Sequence, residues 1–347
     1  MSSDVTLGSM VGDPSAAQRK KKAAVKLYMG AFGQAARVFG QVELYYNKTG
    51  EPLRRAIYYR NICEDAYYFG QMCGAQTSFL ELEARLYDLE KEDYRAKAYE
   101  DPLPYVTNLT HVCHLYLDKV YERDWFMRSP GAEDFSGIYS AMVPTAISTG
   151  LMVRSMVTDG FETEGISRFF KEPALGWNLS TVCAQWIRCQ DNFMYNPISE
   201  MLWLTLLPVL VARAGMAPYP ALSIGGCFSF NTFIHRASFE EKMVYLSGVL
   251  LRAGKRAKKK FIVSAERVDR WEQQLQSQGF RSKFSAGLLP WLTVRRRFRV
   301  VDVVRYLGCP RATAARLVAN LVKCDIIGYD MPGTRNKIYR TSRLFEL

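Results

Sequence analysis

Apolar residues recur every three or four positions between Ala23 and Leu251, and this spacing constrains the fold more than any other feature of the chain. Residues three and four positions apart lie on one face of an α-helix, whereas a half-buried strand requires strict alternation. Turn signals such as Asn47–Gly50 and Asp101–Pro104 divide the segment into successive helices, of which Ile198–Ala214 is the central apolar one. Strand signal is weak and no unit is repeated. The segment therefore predicts an all-α bundle.

Composition favours a folded protein without a membrane span or an export signal. The longest apolar run, Met201–Ala212, contains Pro208 and is far shorter than the ~20 apolar residues that a membrane-spanning helix needs. Residues 1–22 are polar, end in a basic run and lack the apolar stretch of a signal peptide, so they predict a disordered tail. The eight cysteines show no CxxC pairing and predict reduced thiols. Together these features predict a cytoplasmic protein with no membrane partner.

Positive charge is concentrated at the C-terminal end of the chain. The net charge is +12, yet Arg252–Leu347 alone holds 22 Lys and Arg against 7 Asp and Glu. Within it, the run Arg252–Lys260 predicts a domain boundary. A localised cationic surface attracts nucleic-acid phosphates, although a merely solvated surface explains the charge equally well. The predicted domains are residues 1–22 (disordered tail), 23–251 (helical domain), 252–282 (basic linker or helix) and 283–347 (C-terminal domain).

The C-terminal domain shows a helix-turn-helix pattern followed by a hairpin. Val300–Leu307 and Arg311–Lys323 each have one apolar face, and the tight turn Gly308–Pro310 joins them. Ile326–Asp330 and Arg335–Arg340 are short strand-like runs on either side of a Pro-Gly turn. Another apolar helix precedes them. The pattern predicts a winged helix-turn-helix, α with a small β hairpin, whose second helix enters the major groove of DNA.

Outward-facing side chains of the second helix and the wing suit contacts with phosphates and base edges. Fold pattern and charge agree in favouring double-stranded DNA as the partner. Winged helices also mediate protein contacts, so that alternative stays open. The predicted DNA-contacting residues are Arg311, Thr313, Arg316, Asn320, Lys323, Arg335, Asn336, Lys337 and Arg340.

Short stretches of the chain resemble bacterial Fic-family proteins. Arg311–Val318 resembles the family's Arg-Pro-Thr-Ala-x-Arg-Leu-Val run, and Arg335–Tyr339 resembles its wing motif Arg-Asn-Arg-Val-Tyr. Gly74–Leu82 is similar to Gly-Thr-Gln-x-x-Leu-x-Glu-Leu of the family's N-terminal helical region. Leu206–Met216 is similar to the helix that follows the Fic active site. The resemblance implies a Fic-like α-helical bundle over residues 23–251, followed by a winged helix-turn-helix.

The catalytic signature of that family is missing. Fic enzymes transfer AMP from ATP to a target hydroxyl through His-Pro-Phe-x-Asp/Glu-Gly-Asn-Gly-Arg-x-x-Arg, in which the His is the general base and the acidic residue holds magnesium. The resemblance places Phe193–Leu204 at this signature, with Phe193 for the base and Pro197 for the metal ligand. No histidine lies between His114 and His235. The sequence therefore predicts a pseudoenzyme without catalytic residues or cofactor.

No metal site is predicted either. His111 and His114 share a helix face, but two ligands without a second pair of matching spacing favour a structural role. The favoured function is a DNA-binding transcriptional regulator whose helical domain would dimerise, bind a partner or sense a ligand. A two-fold homodimer through that domain would bind a palindromic site. Two alternatives remain: a divergent Fic-type nucleotidyl (AMP) transferase, and a protein-interaction adaptor.

Overall fold

The computed structural model describes residues 14–72, 78–79, 177–190, 203–204, 206–208, 210–212, 214–218, 221–236, 238–295, 297–330 and 337–341. Over these residues the chain is mainly helical, with a small antiparallel sheet of three strands, which confirms the predicted mainly α class. Some predicted features lie outside the described residues: the breaker at 101–104, His111 and His114, Phe193 and Pro197, and the wing residues Arg335 and Asn336.

The described helices and strands follow one another in this order: α1 (Pro14–Lys48), α2 (Glu51–Met72), α3 (Leu179–Arg188), α4 (Phe230–Ile234), α5 (Phe239–Ser277), α6 (Ser285–Val294), β1 (Arg297–Phe298), α7 (Val300–Leu307), α8 (Arg311–Lys323), β2 (Ile327–Tyr329) and β3 (Tyr339–Thr341). The described residues between 203 and 212 are also helical, within the range predicted as the central apolar helix. A 3-10 turn covers Gly225–Cys227.

Helix α1 begins well before the predicted start of order. The sequence predicts a disordered tail up to Lys22, but α1 starts at Pro14, so that prediction is wrong for residues 14–22. Proline suits the first helical turn, and Ala, Gln, Lys and Arg are good helix formers. The helix packs along α5, and the Lys21 ammonium pairs with the Glu240 carboxylate at 3.0 Å. The polar residues 14–22 are thus helical because they continue into a helix that packs against α5.

Helix α5 crosses the predicted domain boundary without a break. It is 39 residues long and starts at a capping box, in which Ser238 and Glu241 satisfy each other's backbone N–H groups. The basic run 252–260 lies inside it, because Lys, Arg and Ala favour helix and the buried Ala253 and Ala257 continue the apolar face. The run is therefore no flexible linker but part of a rod that spans both halves of the chain.

The core of the helical part contains two stacked tryptophans. The Trp186 and Trp203 rings lie 3.7 Å apart, and each indole N–H donates to the other residue's carbonyl oxygen, at 2.8 and 3.0 Å. The pairing satisfies both buried donors, so the rings can lie in an apolar core without an unmade hydrogen bond. Phe228 and Phe233 pack against them. In the described ranges, no helix is long and apolar enough to cross a lipid bilayer.

Elements α6 to β3 form the C-terminal unit, which has its own core. The bounds of α7 and α8 agree with the prediction, and β2 and β3 pair antiparallel as the predicted hairpin requires. Strand β1 was not predicted, because two residues are too few for alternation to be recognised. It pairs with β3, giving the sheet order β1-β3-β2. Helix α6 packs against both α2 and α5, so the unit adjoins the helical part closely.

Candidate nucleic-acid interface

The turn between α7 and α8 sets the start of the helix that carries the predicted DNA contacts. Gly308 ends α7 in the left-handed conformation, with φ of 59°, and its N–H donates to the Val304 carbonyl. Glycine adopts this conformation without the penalty that a Cβ atom imposes. Cys309 is buried beneath the turn, and the Pro310 carbonyl accepts the first hydrogen bond of α8 from the Ala314 N–H at 3.0 Å. The connection between α7 and α8 is therefore only three residues long.

Helix α8 buries the face that the sequence predicts. Ala314, Leu317, Val318 and Leu321 are all buried. On the other side of the helix, spacings of three, four and three residues bring four polar side chains into one row. Its two cations are exposed and its two uncharged members are half-buried. We call this row the α8 stripe: Thr313, Arg316, Asn320 and Lys323. The helix contains no acidic residue that would offset its charge.

Arg311 lies outside the stripe. It is exposed at the first position of α8. At 3.6 residues per turn, its side chain leaves the helix axis roughly 140° away from that of Arg316. The structure thus brings four of the five residues predicted on this helix together and leaves Arg311 at its end.

The sheet adds a second group of cations, one of which the sequence did not predict. Arg340 is exposed on β3 and lies opposite Arg297 of β1. The Asp330 carboxylate pairs with Arg297 Nε at 2.7 Å and lies 4.0 Å from Arg340 Nη1. In the sequence, the exposure of Arg297 on a strand was indicated only by the short alternation Arg297-Phe298-Arg299, an apolar residue between two charged ones. The pairing orders both guanidinium groups but offsets part of their charge.

Lys337 lies at the edge of the described hairpin. It is exposed, and its Nζ lies 5.3 Å from the centroid of the Tyr329 ring, a distance that suits a cation–π contact. Tyr329 itself is 48% exposed, which is high for a large aromatic side chain. The base of the predicted wing therefore presents a cation and an aromatic ring. Arg335 and Asn336 lie outside the described residues.

Part of the basic run does not reach the surface. Lys260 is buried, and its ammonium pairs with the Glu64 carboxylate and donates to Asn61 Oδ1 at 2.7 Å. Burial lowers the pKa of Lys260, and Glu64 partly opposes this. Burial also disfavours the charged form of Glu64, but Lys260 and Arg60 outweigh it and hold the pKa of Glu64 below its usual value. The cluster connects α2 with α5 and contributes no surface charge.

A second carboxyl, that of the half-buried Asp65, fixes the loop beside it. Asp65 Oδ1 accepts from the Ser223 hydroxyl at 2.7 Å and from the Gly225 N–H at 2.6 Å. Burial raises the pKa of Asp65 to about 6, although both hydrogen bonds favour the charged form. No local sequence pattern predicts this contact, because its partners lie about 160 positions apart. In the described part of the chain, no group of three or more His, Cys, Asp or Glu could hold a metal ion.

Comparison with known proteins assigns the chain to no family. No protein-family model matches the chain, and no curated protein matches it. The resemblance to the Fic family stays a prediction.

Proposed function

We propose that the C-terminal unit is a winged helix-turn-helix that binds double-stranded DNA, with α8 as its recognition helix. The α8 stripe is the observation that carries the proposal. A helix that buries one apolar face and presents Thr313, Arg316, Asn320 and Lys323 in a single row, with no acid among them, suits the major groove. The order helix, strand, helix, turn, helix and hairpin supports the same class of module.

The residue types of the stripe suggest separate roles. Arg316 lies in its middle, where a guanidinium can donate two hydrogen bonds to guanine, and Asn320 can pair with adenine in the same way. Lys323 at the C-terminal end of α8 suits a phosphate contact. Thr313, near the N-terminus, suits a phosphate or a thymine methyl group. Arg311 at the helix end is better placed for the backbone than for a base.

The sheet supplies the proposed wing contacts. Three exposed cations lie on or beside the sheet: Lys337, Arg340 and Arg297. We assign the same backbone-contacting role to the predicted wing residues Arg335 and Asn336. Contacts from a hairpin to the backbone or minor groove fix the orientation of a recognition helix but carry little sequence information. Asp330, which orders two of these arginines, limits how strongly they attract phosphate.

We propose further that the whole chain is a cytoplasmic transcriptional regulator, whose helical part resembles a Fic scaffold without its chemistry. A two-fold homodimer through that part would present two copies of α8 to a palindromic site, with half-sites about one helical turn of DNA apart. The close packing of α6 on α2 and α5 supports a coupling between the two parts, because a change in α2 or α5 has a direct route to α6.

Replacing one residue of the stripe tests the proposal. Selection from random duplex DNA with the full chain gives the preferred sequence, and fluorescence anisotropy then compares the wild type with Arg316→Ala. We expect a loss of about 1–3 kcal/mol on that sequence, or roughly 5- to 150-fold, and a smaller loss on unrelated DNA. Arg37→Ala, which removes an exposed arginine of α1, is the matched control and should bind as the wild type does.

Two results would contradict the proposal. Equal affinities of the wild type and Arg316→Ala on the selected sequence would exclude α8 as the recognition helix. Failure of the full chain to select or bind any duplex would exclude DNA as the partner, and a nuclease-resistant protein complex would then favour the adaptor.

A further inference from the structure

The loop between α5 and α6 lies beside the α8 stripe. Lys323 Nζ is 5.9 Å from the centroid of the Phe280 ring. A small hollow is lined by Arg281, Ser282 and Asn320 together with Leu317 and Leu321 of α8. Phe280, Arg281 and Ser282 therefore lie beside the stripe, although they precede Asn320 by about 40 residues in the chain, and Lys283 follows them in the same loop.

Hydrogen bonds hold this loop in one conformation. Gly279 adopts φ of 72°, its N–H donates to the Gln276 carbonyl at 2.9 Å, and the Phe280 N–H donates to the Leu275 carbonyl at 2.9 Å. These two bonds form a Schellman motif, and Phe280 and Leu275 make its usual apolar pair at the hollow. Ser282 then accepts from the Phe284 N–H at 3.2 Å. The side chains of the loop therefore leave from a fixed backbone.

Two cations project from this loop without an acidic partner. Arg281 and Lys283 are both exposed, and neither forms an ion pair with any described residue. The chain contains no Asp or Glu between Glu272 and Asp302. Their charge is thus available to an anionic partner.

We infer that Arg281 and Lys283 form a phosphate clamp, which holds the backbone of the same DNA duplex whose major groove α8 enters. The inference rests on the proposed function. A duplex with α8 in its groove has a phosphate strand at each groove edge, and a cation beside Asn320 and Lys323 lies on one of those edges. Because the loop backbone is already ordered, the clamp adds to the cost of binding only the side-chain freedom of two residues. The clamp strengthens binding on every sequence and does not select bases.

The salt dependence of binding by the full chain tests the clamp. The probe is a labelled duplex of about 30 base pairs and mixed sequence. Each phosphate contact that is lost reduces the slope of log K against log salt by about 0.9. The double variant Arg281→Gln/Lys283→Gln should therefore have a slope about 2 less steep than the wild type, and its sequence preference should not change.

Two matched variants separate the clamp from general charge and folding effects. Arg281→Lys/Lys283→Arg exchanges the two cations and should keep most of the wild-type slope. Lys26→Gln/Arg37→Gln removes two exposed cations from α1 and should keep all of it. An unchanged slope for the Gln pair overturns the clamp, while a loss of binding by Arg316→Ala in the same series leaves the recognition helix in place. No binding by the wild type overturns both.

Discussion

Lys259 and Lys260 are neighbours in one basic run, yet they lie in different surroundings. Lys259 is exposed, while Lys260 is buried against Glu64 and Asn61. A charge count over the sequence treats them alike, although only the first can attract a phosphate. Arg256 and Arg267, which the same count includes, are also partly or fully buried. Burial therefore decides which basic residues contribute to an interface.

Lysine-to-methionine substitutions at these two positions test the difference. Lys260→Met leaves the buried Glu64 carboxylate with Arg60, whose Nε lies 2.8 Å away, as its cationic partner. We expect the free energy of unfolding, measured by urea denaturation, to fall by about 3 kcal/mol, because the buried carboxylate loses one of its two cationic partners. Lys259→Met, the control, should change stability by less than about 0.5 kcal/mol. Equal effects at the two positions would contradict the buried pair.

Asp65 predicts a pH dependence of stability. Its pKa is raised from 3.8 to about 6 in the folded chain, so the fold favours the protonated carboxyl. This contribution is complete below the unfolded pKa and is lost as the pH rises through about 6. Asp65→Asn keeps an Oδ1 acceptor for Ser223 and Gly225 but cannot ionise. Between pH 4 and pH 7 the wild type should lose on the order of 2 kcal/mol relative to the variant. A stability difference that does not vary with pH would contradict it.

Among the secondary-structure elements, α7, α8 and their turn follow from local signals. Glycine at the turn and an apolar face at helical spacing are encoded within a few residues, and the structure has both predicted helices. The hairpin strands pair as predicted, although β3 covers Tyr339–Thr341 rather than Arg335–Arg340. The α8 stripe was predictable for the same reason. Two other arrangements were not: strand pairing brings Arg297 opposite Arg340, and packing brings Arg281 and Ser282 beside Asn320, and no local pattern encodes either.

Gly308 is the residue on which the α7–α8 turn depends. A residue with a Cβ atom at its φ of 59° costs roughly 1–2 kcal/mol. Gly308→Ala should therefore lower the free energy of unfolding by about that amount and weaken DNA binding, because the start of α8 moves. Gly30→Ala, in the exposed middle of α1 with open space around it, should instead raise stability by about 0.5–1 kcal/mol. Thermal denaturation measures both, and effects of the same sign would contradict this account of the turn.

At the scale of the whole molecule, α5 joins the two cores. Its first half packs in the helical core, while Trp271 and Leu275 near its C-terminal end belong to the core of the C-terminal unit. The sequence predicted a boundary inside this helix, because a basic run in a polar setting is typical of linkers. Only the positions of Ala253, Ala257 and Phe261 on one buried face show that the rod continues. Long-range packing, rather than composition, determined the domain organisation.

The central claim is that the exposed face of α8 and the sheet bind duplex DNA. The most direct measurement is the affinity of the full chain for a duplex of about 30 base pairs over a range of salt concentrations. Four exposed cations, Arg316 and Lys323 on α8 and Lys337 and Arg340 on or beside the sheet, predict that log K falls linearly with log salt. The slope should be about −3 or steeper, since each phosphate contact contributes about −0.9. Affinity that does not change with salt, or no binding at about 50 mM salt, would contradict the claim.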